Sequence, residues 1–170
     1  MLDLIPGGTM TITPFSHVLS SALVEALEQH TDHLPGDKIY GATLVRTEET
    51  LLPWFAVLAD LGDSDGPGAD ASPVARWCPE RSGIALRTPR LTEVCALFDA
   101  HLDAAPALAR ALGSHDVRQT FARLGAEPIL YIFDRRADGE GTIEPGTFGS
   151  LNAGRESEPY YLQAARLFAA

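Results

Sequence analysis

The segment 128–134, PILYIFD, constrains the fold of this chain more than any other part of its sequence. Its residues are apolar at both the odd and the even positions, so both faces of the strand that they predict avoid water. A strand of this kind belongs in the middle of a sheet, with other apolar residues packed against it. We therefore expect a sheet in which this segment is a central strand.

Two earlier segments predict further strands. The segment 38–46, KIYGATLVR, is rich in β-branched and aromatic residues and is fairly apolar on both faces. The segment 53–60, PWFAVLAD, follows after a link that is short enough for a hairpin, which indicates antiparallel pairing. A helix across 48–60 is the alternative interpretation, because short apolar runs do not distinguish a strand from a helix.

Apolar residues at helical spacing predict amphipathic helices that pack on this sheet. The first helix is expected from a cap at Thr13 to about residues 30–33, and later helices at 89–104, after a cap at Ser114, and from Pro159. In the last of these, Tyr161 and Leu162 are expected to face inward. The apolar stripe of the first helix consists of Phe15, Val18, Leu19, Ala22, Leu23, Ala26 and Leu27.

The fold class that these segments predict is α+β, with an antiparallel sheet of at least three strands packed against amphipathic helices. The length of 170 residues suits a single domain, 1–170, in which residues 1–12 are expected to be loosely held. The apolar runs are all shorter than the roughly 20 residues of a membrane span, and the first residues do not resemble a secretion signal. We therefore expect a cytoplasmic protein that does not bind membranes.

The acidic residues are distributed unevenly along the chain. Residues 1–72 hold eleven acids and two bases, whereas residues 73–170 hold twelve acids and eleven bases, so the first part carries −9 of the net charge of −10. Such a surface repels nucleic acids and attracts a basic protein partner, although acidity that only aids solubility is an alternative. The predicted partner-binding residues are Glu25, Glu28, Asp32, Glu48 and Glu49.

The segment 73–86, PVARWCPERSGIAL, raises the question of whether Cys78 is reactive. Arg76 and Arg81 would favour a thiolate, but Glu80 offsets them and nothing in the sequence assigns a base. Trp77 is large enough to cover the edge of a core. Pro79 biases the backbone of the preceding residue, Cys78, towards an extended form. We therefore expect Trp77 and Pro79 to be structural anchors.

The sequence predicts no catalytic residues, metal ligands or cofactors. Cys78 and Cys95 lack a second cysteine or a histidine within four residues, which argues against a zinc site. Ser114, His115 and Asp116 are adjacent, whereas the members of a hydrolase triad converge from separate places. Two other classes of protein remain open: a small hydrolase or transferase that uses carboxylates such as Asp134 and Glu144, and a protein that only dimerises.

Several short motifs resemble an uncharacterised bacterial family, the domain of unknown function numbered 4303. These motifs are KIYGATLV, RWCPERSG after an acidic loop, ILYIFD, and SLN near the end of the chain. The chain departs from the family pattern where Ser82 and Gly83 replace an aromatic residue and where Ala153, rather than proline, follows Asn152. The resemblance covers about residues 15–168. It implies a non-catalytic, immunity-type protein that binds another protein.

Overall fold

The structure, a computed structural model, describes residues 12–47, 53–61, 72–97, 104–135 and 141–167. These residues form one five-stranded sheet with helices on both of its faces, so the predicted α+β class is confirmed. The strands are β1 (Ile39–Thr47), β2 (Trp54–Ala59), β3 (Gly83–Leu86), β4 (Ile129–Arg135) and β5 (Gly141–Ile143). The helices are α1 (Ile12–Gln29), α2 (Pro73–Trp77), α3 (Pro79–Ser82), α4 (Pro89–Ala96), α5 (Ala104–Leu112), α6 (His115–Arg123), α7 (Pro145–Leu151) and α8 (Pro159–Ala165).

The strands are arranged in the order β3-β2-β1-β4-β5. Strands β1 and β2 form the predicted antiparallel hairpin, and β3 and β5 also pair in an antiparallel manner with their neighbours. The prediction of a purely antiparallel sheet is wrong, because β1 and β4 are parallel. The long connection between them, which contains several helices, allows β4 to enter the sheet in the same direction as β1.

Helix α1 covers one face of the sheet together with α4, α5 and α6. Of its predicted stripe, every residue except the half-buried Val18 is buried, and these side chains pack against Leu44, Phe55 and Leu130 of the sheet in one apolar cluster. The helix already includes Ile12 and Thr13, so Thr13 is not its cap, and it ends at Gln29, just before the predicted range of 30–33. Its length and position result from the regular apolar spacing, which gives one continuous face to bury.

The opposite face of the sheet is covered by α2, α3, α7 and α8. An irregularity in the pairing of β1 between Ile39 and Gly41 places Tyr40 in the cluster on this face, with Val45, Tyr131 and Phe133. Trp77 and Phe148 complete the same cluster from the helices. The two faces explain why β1 and β4 are apolar at both odd and even positions.

Asn152 binds the edge of β4 at a point where β5 does not reach. Its Oδ1 accepts a hydrogen bond from the backbone N–H of Leu130 at 2.9 Å, and its Nδ2 donates to the carbonyl oxygen of Leu130 at 2.7 Å. The same Nδ2 donates to the carbonyl oxygen of Phe148 in α7 at 2.9 Å. The buried side-chain amide of Asn152 therefore pairs with β4 as the backbone of a neighbouring strand would, and it attaches α7 to the sheet.

Several local expectations differ from the structure. The strand β5 and the helix α7 lie in a part of the chain for which we predicted no regular element. Leu162 is 46% exposed, because Tyr161 and Ala164 are the residues of α8 that pack inward. The predicted loosely held segment lies outside the described residues, apart from Ile12. Among the described helices, none has the length and apolar character needed to cross a membrane.

Candidate functional site

Trp77 lies at the centre of the second face of the sheet and is fully buried. The N-terminal cap of α2 is Ser72, whose side chain accepts a hydrogen bond from the N–H of Ala75, and the helix ends directly after the tryptophan. The indole Nε1 donates a hydrogen bond to Oε1 of Gln163 at 3.1 Å, so its one polar atom has a partner. Pro79, the other predicted anchor, is also buried and opens α3. Trp77 and Pro79 therefore attach the segment 73–82 to the sheet.

Two tyrosines fix the backbone next to Trp77. The hydroxyl of Tyr131 donates to the carbonyl oxygen of Trp77 at 2.9 Å, and the hydroxyl of Tyr40 donates to that of Arg76 at 2.5 Å. Burial raises the pKa of Tyr40 to about 12, and burial likewise raises the pKa of Tyr131 well above its usual value. Both hydroxyls therefore stay protonated as hydrogen-bond donors at neutral pH.

The aromatic cluster continues to the surface through Tyr160. The rings of Tyr160 and Tyr40 stack with their centroids 5.3 Å apart, and Tyr160 is 38% exposed. The guanidinium carbon of Arg76 lies 5.0 Å from the centre of the Tyr40 ring and 5.6 Å from that of Tyr160. Arg76 also forms an ion pair of 2.8 Å with Asp60. These contacts hold Arg76 and the partly exposed Tyr160 in a fixed arrangement next to the buried ring of Tyr40.

A shallow pocket of about 420 Å³ opens beside this stack. Its walls include the carboxylates of Asp37 and Asp60, the side chain of Lys38, and the two stacked tyrosines. We call Asp37, Tyr40, Asp60, Arg76 and Tyr160 the Tyr160 surface. Asp37 and Asp60 meet there because β1 begins where the antiparallel β2 ends, with Ile39 opposite Ala59.

The predicted partner-binding acids do not form one face of free carboxylates. Glu25 pairs with Arg90 at 2.9 Å and Glu28 with Arg123 at 3.1 Å, so arginines from α4 and α6 offset both charges. Asp32 is exposed in the turn after α1 and, within the described ranges, has no ion pair. The predicted residues Glu48 and Glu49 lie outside the described residues.

Sequence reasoning did not select Asp37, Asp60 or Tyr160. The two aspartates could have been found, because the predicted hairpin brings the start of one strand next to the end of the other. Tyr160 gives no such signal. It is separated from Tyr40 by much of the chain, and only the packing of α8 brings the two rings together.

The carboxylates of the alternative enzyme interpretation are both engaged in structural contacts. Asp134 receives two hydrogen bonds from the guanidinium of Arg46, at 2.6 and 2.7 Å. Glu144 accepts hydrogen bonds from the N–H groups of Gly146 and Thr147 and from the Thr147 hydroxyl, and so forms the N-terminal cap of α7. Burial opposes the charge of Glu144, but these hydrogen bonds outweigh it and hold its pKa below the usual value. A general acid would need a raised pKa instead.

The other chemically capable residues also have structural environments. Cys78 is half-buried and Cys95 is buried, and both are free thiols. Ser114 caps α6, and its Oγ lies 2.6 Å from that of Ser20 on α1. In the part of the chain that the structure covers, no three His, Cys, Asp or Glu side chains come together as a metal site would need.

The fold and this site define a mixed-sheet α+β domain with an aromatic and acidic surface next to its core. No family model matches the chain, and a search of curated proteins and of solved structures finds no match either. The resemblance to family 4303 therefore depends on the short motifs described above.

Proposed function

We propose that this chain is a non-catalytic protein-binding domain whose Tyr160 surface receives a basic side chain of a protein partner. The observation that carries this proposal is the stacked pair of Tyr40 and Tyr160 beside the carboxylates of Asp37 and Asp60. Arg76 already pairs with Asp60 and lies over both rings, so the groups that remain for a partner's lysine or arginine are the exposed part of Tyr160 and the carboxylate of Asp37. Tyrosine and arginine are also the residues in which protein interfaces are enriched.

The net charge of −10 supports a basic partner. The ion pairs that acidic side chains form within the chain determine which of them can attract such a partner. Because Glu25 and Glu28 are paired with arginines, their effect on an approaching partner is reduced. Asp32 and Asp37 are exposed, and in the described part of the chain neither has an ion pair. They therefore contribute more than Glu25 and Glu28 to the attraction of a basic surface. A partner of this kind suits the inhibitor or immunity role that the resemblance to family 4303 implies.

The alternative of a carboxylate-dependent hydrolase or transferase has less support. Asp134 is held by Arg46, and Glu144 is used as a helix cap with a lowered pKa. A carboxyl group with a lowered pKa does not suit the role of a general acid, and the carboxylate of Asp134 is engaged by an arginine. No specific observation favours a protein that only dimerises.

The proposal is tested by capturing the partner with the full chain and measuring its binding kinetics at two salt concentrations. Removing the exposed ring in Tyr160→Ala should raise the dissociation rate by at least about tenfold, as loss of an interface aromatic does. Reversing the charge in Asp37→Lys should mainly slow association, and the difference from wild type should shrink at high salt.

Two control variants match these changes. Leu162→Ala removes another exposed side chain from α8, two positions from Tyr160, and should change both rates by less than about twofold. Asp116→Lys reverses an exposed acid in the first turn of α6 and should leave the association rate unchanged. The proposal is wrong if Tyr160→Ala binds like wild type, or if the captured partner is acidic.

A further inference from the structure

A second cavity, of about 400 Å³, lies between α6 and the start of β4, and its lining shares no residue with the Tyr160 surface. Its polar lining comes from His115, Arg118 and Gln119 of α6 and from Arg155, which follows α7. Its apolar lining consists of Phe121, Ala122, Ala126, Pro128 and Leu130. The cavity thus combines two guanidinium groups with an apolar wall, in a chain whose net charge is −10.

The two arginines have different electrostatic environments. Arg155 is neutralised by Glu158, which accepts from its Nε at 2.8 Å and from its Nη2 at 2.6 Å. Arg155 also donates to the carbonyl oxygens of Glu127 and Pro128, so its position is fixed. Arg155 therefore contributes hydrogen-bond donors in a fixed position to the cavity lining, but little net charge.

Arg118 keeps its positive charge without a carboxylate partner among the described residues. Its guanidinium donates to the carbonyl oxygen of Gly113 at 3.1 Å and to that of Leu151. Burial, and then the positive charge of Arg155, lower the pKa of Arg118. An anion in the cavity would offset the positive charge of Arg118.

We propose that this cavity binds a small organic acid, with the carboxylate on Arg118 and the apolar body against Ala122, Ala126 and Leu130. A single charge is required because, of the two arginines that line the cavity, Arg155 is paired with Glu158 and Arg118 has no carboxylate partner among the described residues. Glu127 also lines the cavity, but its side chain is exposed, and solvent screens its repulsion. The Nε of Arg118 and one hydrogen of its Nη2 are used by Gly113 and Leu151, so a carboxylate would accept its two hydrogen bonds from Nη1 and from the second hydrogen of Nη2.

The test compares hexanoate with hexanamide, which has the same shape and no charge, by titration calorimetry and by amide chemical shifts of the full chain. Hexanoate should bind saturably, at least about tenfold more tightly than hexanamide. The shifts should be confined to amides of α6 and of residues 126–130. Equal binding of the two probes, or shifts spread over the surface, would show that Arg118 does not recognise an acid.

Two variants change the cavity in different ways. Arg118→Gln removes the charge and should weaken hexanoate binding by about tenfold or more. Ala122→Leu fills the apolar side from an exposed helical position and should abolish binding, and it tests the proposal even if Arg118→Gln fails to fold. Arg123→Gln is the matched control, because it removes a charge from the same helix outside the cavity lining. It should leave the affinity within about twofold.

Inorganic phosphate distinguishes an organic acid from a simple anion. Phosphate should bind more weakly than hexanoate, because it cannot use the apolar wall. If phosphate binds as tightly as hexanoate, or if Arg123→Gln weakens binding as much as Arg118→Gln, the assignment to an organic acid is wrong.

Discussion

Trp77 lies directly over Gly41 of β1: a β-carbon on Gly41 would come within 3.1 Å of Cζ3 of the indole ring. The ring cannot easily move away. Tyr40 and Tyr131 lie against it, with ring centroids at 5.3 and 5.6 Å, and Gln163 holds its Nε1. Glycine at position 41 therefore lets the largest aromatic residue of the core approach the central strand of the sheet.

We expect Gly41→Ala to destabilise the protein by about 1–3 kcal/mol, because the added methyl group overpacks a site with little freedom to adjust. The free energy of unfolding, measured in urea, checks this. Gly149→Ala is the matched control: position 149 lies within α7, and a β-carbon there has no neighbour within 4 Å. The Gly149→Ala substitution should leave the free energy of unfolding unchanged or raise it by about 0.5–1 kcal/mol. Equal effects of the two substitutions would show that the indole ring moves freely.

Asn152→Asp should cost about 3 kcal/mol or more at pH 7, because a buried carboxylate would face the carbonyl oxygens of Leu130 and Phe148 in place of a donor. Burial raises the folded pKa of the introduced carboxyl group above its unfolded value. The penalty should therefore be small below about pH 4 and grow as the pH rises towards the folded pKa. Urea unfolding from pH 3.5 to 7 measures it. A penalty that does not depend on pH would contradict the proposed role of the amide.

Glu144→Ala should destabilise the protein by about 1 kcal/mol at pH 7, through loss of the cap on α7. Because the folded pKa of Glu144 is lowered, its contribution is present above its unfolded pKa of about 4.5 and is lost as the pH falls through the folded value. The difference between wild type and variant should therefore shrink below about pH 4.5. Glu93→Ala, at an exposed position of α4, should show a change of less than about 0.5 kcal/mol.

Cys95 should resist alkylation in the folded protein. Burial raises the pKa of its thiol to about 12, so at neutral pH less of it is thiolate than in an unfolded chain, and the side chain is only 2% exposed. In the Cys78→Ser variant, iodoacetamide at pH 7.5 should label Cys95 at least about a hundredfold more slowly in the folded state than in urea. Similar labelling rates in the folded state and in urea would mean that α4 opens readily and exposes Cys95. The same variant should bind any partner of the Tyr160 surface as wild type does.

The sequence by itself determined the elements whose residues repeat a simple pattern. The stripe of α1 follows from apolar residues at helical spacing, and the strands at 39–47, 54–59 and 129–135 follow from short apolar runs rich in β-branched and aromatic residues. The cap of α6 at Ser114 follows from the local chemistry of its side chain. The hairpin of β1 and β2 follows from the short link between them. These features depend on neighbours in the chain, which a sequence displays directly.

Only the tertiary structure decided which distant groups meet. The parallel pairing of β1 with β4, the pairing of β3 with β2, and the stack of Tyr160 on Tyr40 join residues that are far apart in the chain. The ion pair of Glu25 with Arg90 likewise spans 65 positions and changes an apparent acidic face into a partly neutral one. Charge counted along a sequence assigns no partner to a carboxylate, because pairing depends on separation in space, and that separation is fixed by how the helices pack on the sheet.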